Sequence, residues 1–284
     1  MNKVHVAIEG KSLALSNLGK PLYPHFTKGE VIDYYTRISP VLLPHLRDRV
    51  ATRVRFPEGV DGLRFFEKNA PRGTPEWVRT ETVATPGGRS GSVEFVVIDD
   101  LPTLVWCANL AALELHVPQW RVGRPPDLMV FDLDPGAPAA FSASCEVGLL
   151  LRDLLAEDGL EAYPKSSGKK GLHLYVPIKD GQVDDTSAYA KRSAERLAKE
   201  QPGLVVSKMD KSLRGGKVLV DWSQNNPSKT TVAPYSLRAA DEPRVSTPLT
   251  WEEVEKGEPV PCTAEDVLVR VAEKGDLLAP LIGG

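Results

Sequence analysis

The chain has 284 residues, of which 42% are hydrophobic and 26% charged, a balance that excludes a disordered polymer and fits one large or two small globular domains. Three cysteines (Cys107, Cys145, Cys262) without paired spacing argue against a disulfide framework or a structural zinc site and suit a reducing cytosol. No N-terminal signal h-region and no run of ~18 apolar residues is present, so neither export nor a membrane span is expected and a cytoplasmic location is. The net charge of -3 and a pI near 6.0 do not by themselves suggest a nucleic-acid partner.

Thr27-Lys28-Gly29-Glu30 has capping-box spacing, and Val31, Ile32, Tyr35, Ile38 and Leu42 follow at helical period. Pro40 and Pro44 are expected to kink or end that helix. Ser92–Ile98 is rich in β-branched residues and reads as a strand, and Leu104–Leu115 as a mostly apolar helix. Leu128–Phe131 reads as a buried strand running into a turn at Asp132-Leu133-Asp134-Pro135-Gly136. A helix is expected over Ala143–Asp158, stopped at Gly159. Beyond it come a strand over Leu172–Ile178, a surface helix over Ser187–Lys199 and a strand over Lys217–Trp222. Thr250 and Thr263 both open capping boxes, with Gly257 and Gly275 as stops. Strands and helices alternate without a βαβ rhythm, which predicts an α+β fold of mixed or antiparallel sheets flanked by helices. No repeat or long linker divides the sequence, so residues 1–284 are expected to form one domain.

The charge is unevenly distributed. Residues 239–284 carry ten acidic and four basic side chains, leaving a basic body of net +3 in residues 1–238. That body is compatible either with a polyanionic partner or with an ordinary solvated surface.

Asp132 and Asp134 stand at positions i and i+2, which share one face of a strand. Such a pair can converge on a hard divalent cation, or can simply belong to a turn. Asp221 ends the apolar run Val218-Leu219-Val220 and joins the pair if the two strands are neighbours. Three converging carboxylates repel one another unless cations intervene or a pKa rises. The turn Ser166–Gly171 combines hydroxyls, glycines and lysines, an anion-binding composition without Walker A spacing, and leads into His173 and Tyr175. Phe65 and Phe66 lie near Arg53, Arg55 and Arg64 and could stack on bases or belong to a core. Lys20 and Lys28, around Tyr23-Pro24-His25, could bind a phosphate or be solvated, and spacing leaves His116 open.

Seven segments in colinear order resemble one family over nearly the whole chain: Leu22-Tyr23-Pro24, Phe65-Phe66-Glu67-Lys68, His116-Val117-Pro118-Gln119-Trp120, Phe131–Gly136, Ser167–Tyr175, Val220–Asn225 and Ala233–Arg238. They resemble the polymerase domain of bacterial ligase D, an archaeo-eukaryotic primase-superfamily nucleotidyltransferase of non-homologous end joining. The resemblance implies the primase-like fold, with Asp132, Asp134 and Asp221 as catalytic ligands of two Mn²⁺ or Mg²⁺ ions. It implies that Ser167, Lys170, His173, Arg238, Gln224 and Arg55 hold an incoming NTP or dNTP, and that Phe65 and Phe66 stack on bases. Asn17, Lys20 and Lys28 match the family's 5′-phosphate pocket, and His116 and Arg214 its loops at DNA ends. Where some relatives carry a basic residue between Arg53 and Arg55, this chain has Val54, which leaves that contact in question. The implied substrates are DNA gaps, nicks and breaks bearing a 5′-phosphate; Ku and a separate ligase are the implied partners. De novo priming and non-catalytic end bridging are the alternatives to primer extension.

Overall fold

The computed structural model of the chain describes residues 3–84, 91–179 and 181–282, so the extreme ends of the expected 1–284 unit lie outside the described residues. Two hairpins open it, β1 (Lys3–Ile8) with β2 (Lys11–Ser16) and β3 (Pro21–Tyr23) with β4 (Phe26–Thr27), followed by α1 (Lys28–Leu46). Next come β5 (Val50–Arg55), β6 (Phe65–Glu67), β7 (Thr80–Ala84), β8 (Ser92–Val97), α2 (Leu101–Asn109) and β9 (Ala112–Val117). The middle of the chain forms β10 (Leu128–Pro135), α3 (Phe141–Glu157), β11 (Tyr163–Ser166), β12 (Leu172–Pro177), α4 (Thr186–Glu200), β13 (Val205–Val206) and β14 (Val218–Asp221). Three short strands, β15 (Thr231–Val232), β16 (Leu237–Arg238) and β17 (Arg244–Val245), precede α5 (Trp251–Lys256) and α6 (Ala264–Lys274).

Two sheets dominate. One is six-stranded, in order β15-β9-β5-β8-β7 with β6 also on β5, and packs on a core that includes Val31, Tyr35, Ile38 and Leu42 of α1 and Leu104 and Val105 of α2. The other is five-stranded, in order β11-β12-β10-β14-β13, and its Phe131 and Leu133 face a second core with Val147 and Leu151 of α3 and Leu197 of α4. Only β13–β14 pair in parallel within these sheets; the remaining ladders are antiparallel. This is the mixed α+β arrangement expected from the sequence.

Three local expectations need correction. Helix α1 passes through Pro40 and Pro44. Proline at 40 cannot donate to the Thr36 carbonyl, but Ser39 Oγ donates to that carbonyl at 2.8 Å, so its acceptor is satisfied. The apolar run 104–115 is not one helix: α2 begins earlier, capped by Asp100, and ends at Asn109, and Ala111 turns through φ 59° into strand β9. A short apolar run has no periodicity that separates buried helix from buried strand. Finally, β10 does not turn at Asp132; it stays paired through Pro135, so both aspartates are strand residues. The capping boxes at Thr27, Thr250 and Thr263 form as expected, each cap worth ~1 kcal/mol.

Candidate active site

The antiparallel register of the five-stranded sheet builds the centre of the site. Asp132 pairs laterally with Asp221 on β14 and with His173 on β12, and His173 pairs with Lys165 on β11. Residues directly opposite in a ladder project on the same face, so Lys165, His173, Asp132 and Asp221 form one row across four strands. Asp134 stands two residues along from Asp132 on that face, while the alternate Phe131 and Leu133 are in the core.

Beside the row, the Ser166–Gly171 turn lies against the end of β10. A side chain at Gly171 would put its Cβ 2.6 Å from the Leu133 carbonyl oxygen and 3.2 Å from Asp134 Oδ1. Gly168 has φ +71°, and a Cβ there would meet the Val245 carbonyl oxygen at 2.9 Å as well as the Arg238 side chain. Glycine is therefore what lets the turn touch both the aspartate strand and the β16–β17 hairpin. Ser167 Oγ organises this turn by accepting from Gly171 N–H (3.1 Å) and Lys169 N–H (3.3 Å).

A cleft of about 440 Å³ opens over these groups. Its lining includes Asp132, Asp134, Ser167, Lys170, His173, Gln224, Arg238 and His116, eight residues singled out from the sequence. They come from both sheets, the glycine turn, the β16–β17 hairpin and, for Gln224, the 3-10 turn that follows β14. Asp221 stands beside Asp132 in register, with Oδ1 accepting from Ser223 N–H (2.9 Å) and Oγ–H (2.6 Å), and Oδ2 accepting from Gln224 Nε2 (3.1 Å).

The electrostatics of the carboxylates are uneven. Burial pushes Asp134 up to about 7, and the neighbouring Asp132 and Asp221 add to this while Arg214 and Arg238 oppose it. Burial would raise Asp132 too, but His173, with Lys165 and Arg238 behind it, holds that carboxyl below its ordinary value. Asp132 Oδ1 lies 3.1 Å from His173 Nε2 yet is buried without an aligned hydrogen-bond donor. Among the described residues no three His, Cys, Asp or Glu side chains are already closed into a metal cage. An undersatisfied buried oxygen beside a carboxyl made reluctant to ionise by two others nevertheless fits a divalent cation, which would supply the missing partner and remove the repulsion.

Two contributors, Lys165 and Glu114, escaped the sequence reading. Lys165 is fully buried, its Nζ 3.0 Å from His173 Nδ1 and donating to Ser246 Oγ at 2.5 Å. Burial, with Arg238 adding, pushes this ammonium well below its ordinary value, and Asp132 pulls it back. Burial and Lys165 push His173 down to about 4. Glu114 accepts from Ala239 N–H at 3.0 Å, sits 2.9 Å from His116 Nε2 and lies 3.5 Å from Arg238 Nε. Burial would raise Glu114, but His116 and Arg238 hold it down to about 2. Lys169, 3.8 Å from Glu114, also lines the cleft. Glu114 shares a strand face with His116, a signal hidden while residues 104–115 read as helix. Lys165 sits in a four-residue strand containing Pro164, too short for any alternation to show.

The other expected residues fall elsewhere. Phe65 and Phe66 are exposed on β6 (46% and 57%), with the Phe66 ring edge-on to His116 at 6.1 Å. Arg55 donates to the Leu110 carbonyl (2.6 Å) and to Glu67 (2.5 Å) and does not line the cleft, while Val54 is buried. Arg214 donates to the Met209 carbonyl at 2.6 Å, and its own backbone packs against Gly136 at the end of β10. Asn17, Lys20 and Lys28 form a separate corner at the start of α1. There the Lys28 backbone N–H donates to the Lys20 carbonyl (2.8 Å) and the Lys20 N–H to that of Asn17 (2.9 Å). Lys28 Nζ donates to Ser16 O at 2.6 Å and to Ser16 Oγ at 3.3 Å, and Lys20 pairs with Glu58 at 2.7 Å. Burial, then Lys20 and Arg55, push Lys28 down to about 8.

A two-sheet α+β fold that offers strand-borne aspartates to a basic glycine turn is that of an archaeo-eukaryotic primase-superfamily nucleotidyltransferase. Residues 27–278 match the model of the LigD primase-polymerase domain. The chain is 46% identical over 283 residues to the multifunctional non-homologous end joining DNA repair protein LigD of Mycobacterium tuberculosis, covering 95% of this chain and 37% of that protein. It is 34% identical over 253 residues to the bifunctional non-homologous end joining protein LigD of Bacillus subtilis, covering 88% of this chain and 40% of that one. In structure it is similar to the polymerase domain of M. tuberculosis ligase D in complex with DNA, with a TM-score of 0.89 and 45% identity, covering 95% of this chain and 98% of that one. The chain belongs to the LigD primase-polymerase family and is an enzyme, a nucleotidyltransferase of the polymerase kind. It spans less than half the length of these curated relatives. None of its described helices is long and apolar enough to cross a membrane.

Proposed function

We propose that this chain extends primer 3′ ends at DNA gaps and double-strand breaks during non-homologous end joining, using NTPs or dNTPs. The observation that carries this reading is the register that sets Asp132 beside both Asp221 and His173, with Asp134 on the same face, at the floor of a cleft walled by Lys170 and Arg238. The primer 3′-hydroxyl gives its proton to solvent as its oxygen attacks the α-phosphorus, forming a new phosphodiester bond while the bond to the bridging oxygen breaks and pyrophosphate leaves.

In this reading Lys170 and Arg238 bind the triphosphate, Ser167 holds the glycine turn in shape, and His173 donates to a phosphate oxygen. Gln224 keeps Asp221 oriented. Asp132, Asp134 and Asp221 would hold two divalent ions, Mn²⁺ or Mg²⁺, which when bound neutralise charge at the phosphate and the attacking oxygen. Phe65 and Phe66, exposed near the mouth, offer stacking surfaces for bases, each worth ~1–3 kcal/mol. Lys20 and Lys28, with Asn17, receive the 5′-phosphate across the gap. In this reading His116, which the fold puts on strand β9 and not in a loop, and Arg214 act on DNA ends, and Ku and a ligase activity are the partners of the pathway.

The test is extension of a gapped duplex by the wild type and by Asp132→Ala. The variant is expected to lose ~10³-fold or more in rate. Equal extension by both proteins would remove the three-aspartate assignment.

A further inference from the structure

We infer that Lys165 is a positioning residue for nucleotide transfer: it donates a hydrogen bond to His173 Nδ1, so that the His173 ring presents Nε2–H to the cleft. This rests on the reading of the cleft as the nucleotide site but adds a residue that the family motifs do not name.

The hydrogen-bond directions lead to this role. Ser246 Oγ has one hydrogen and spends it on the Ser166 carbonyl at 2.9 Å. It must therefore accept from Lys165 Nζ. Lys165 is fully buried, with Asp132 favouring its charged form; in that form Nζ has donors only, so its other close partner, His173 Nδ1 at 3.0 Å, is an acceptor. A neutral ring that accepts at Nδ1 carries its hydrogen on Nε2. The Nε2 side of the ring borders the cleft beside Asp132, at 3.1 Å but out of line for a hydrogen bond with it. That N–H is consequently available to an incoming phosphate oxygen.

The anchoring of Lys165 is itself built into the fold. Its backbone lies opposite His173 in the β11–β12 ladder and bridges to Pro248. Ser246 follows β17 and exchanges backbone hydrogen bonds with Tyr235 and Ser236, just before Arg238. One buried side chain thus joins the ring of His173 to the hairpin that carries Arg238. A lysine whose only task was packing would not need both polar partners, since an aliphatic residue of that length fills the space without desolvating a charge.

The experiment uses the intact chain with ¹⁵N-labelled histidine, of which the sequence has five. Ring nitrogen shifts report tautomer directly, and His173→Gln assigns the signal. In the wild type His173 is expected as a single Nε2–H tautomer with Nδ1 hydrogen-bonded; a ring carrying its hydrogen on Nδ1 overturns the proposal with no variant needed. Lys165→Met keeps the stem and removes the donor. It is expected to give a mixed-tautomer ring and to raise KM for the nucleotide about tenfold, with a smaller change in kcat. Lys165→Gln retains an N–H donor and is expected to recover most of the KM. A folded Lys165→Met with the wild-type ring signature and KM, or equal KM values for the Met and Gln variants, overturns the proposal. If Lys165→Met does not fold, Ser246→Ala replaces it, with about a threefold rise in KM expected from loss of the anchor and no rise counting against the role. The tautomer readout needs no turnover, so it separates failure of this inference from failure of the polymerase reading, which Asp132→Ala tests.

Discussion

The candidate active-site cleft and the lysine corner at the start of α1 are both charged, but the group held back from its charged form has opposite sign in the two. In the cleft, cations are interleaved with buried acids: Arg238 and Lys169 face Glu114, and Lys165 backs Asp132 through the His173 ring. Carboxylate is in excess only locally, where Asp132, Asp134 and Asp221 crowd together, and burial with that crowding pushes Asp134 up to about 7. In the corner, Lys28 has only the neutral oxygens of Ser16 as partners, and its mark is a pKa pushed down to about 8. A group held away from its charged form gains most from a ligand of opposite sign. On the proposed reading, the cleft would recruit cations before taking a triphosphate, whereas the corner would take an anion directly.

The largest expected effect that could break this contrast is at Asp134. Asp134→Asn should reduce gap extension ~10³-fold or more. The same change should stabilise the metal-free protein, by ~1 kcal/mol, because it removes one of three mutually repelling carboxyls. Chemical denaturation without divalent ions checks this, and a destabilised variant would mean that the carboxylate excess is not real.

Next in size is the corner. Lys28→Ala should weaken binding of a 5′-phosphorylated gapped duplex about tenfold or more, the worth of a charge-assisted hydrogen bond, and leave a 5′-hydroxyl duplex unaffected. Fluorescence titration with both ends decides it. Equal losses would make the corner a general backbone contact.

A smaller effect sharpens the comparison through pH. Free Lys28 loses its proton through about pH 8, and a bound phosphate dianion raises that value. Binding above pH 8 must then take up a proton, so affinity for the 5′-phosphorylated end falls as pH rises from 7 to 9. The fall should approach tenfold per pH unit at its steepest and flatten in Lys28→Arg, whose guanidinium stays charged. The smallest effect is thermal. Mn²⁺ alone should raise the melting temperature of the wild type by a few degrees and do so much less in Asp134→Asn, while Lys28→Ala retains the full rise.

Local chemistry made much of this legible. Thr27, Thr250 and Thr263 cap helices where their spacing says they should, because a cap needs only four consecutive residues. Asp132 and Asp134 share a strand face for the same local reason. The failures are also physical. Pro40 does not break α1 because Ser39 satisfies the acceptor that the proline leaves. The run 104–115 reads as helix because an all-apolar segment carries no period, and Glu114 was lost with it.

By itself, then, the sequence determined the three helix starts with capping boxes, the shared face of Asp132 and Asp134, the basic glycine turn and the family motifs that combine them. Only the tertiary structure decided that Lys165, His173, Asp132 and Asp221 stand in one row, since ladder register between distant segments is set by whole-sheet packing and not by local spacing. It also decided which charges become neighbours, crowding Asp134 with Asp132 and Asp221 and burying Lys28 beside Lys20 and Arg55. Charge on a polypeptide acts over a few ångströms in a low-dielectric site, so what matters is which groups the fold makes neighbours, and a sum over the chain does not contain that information.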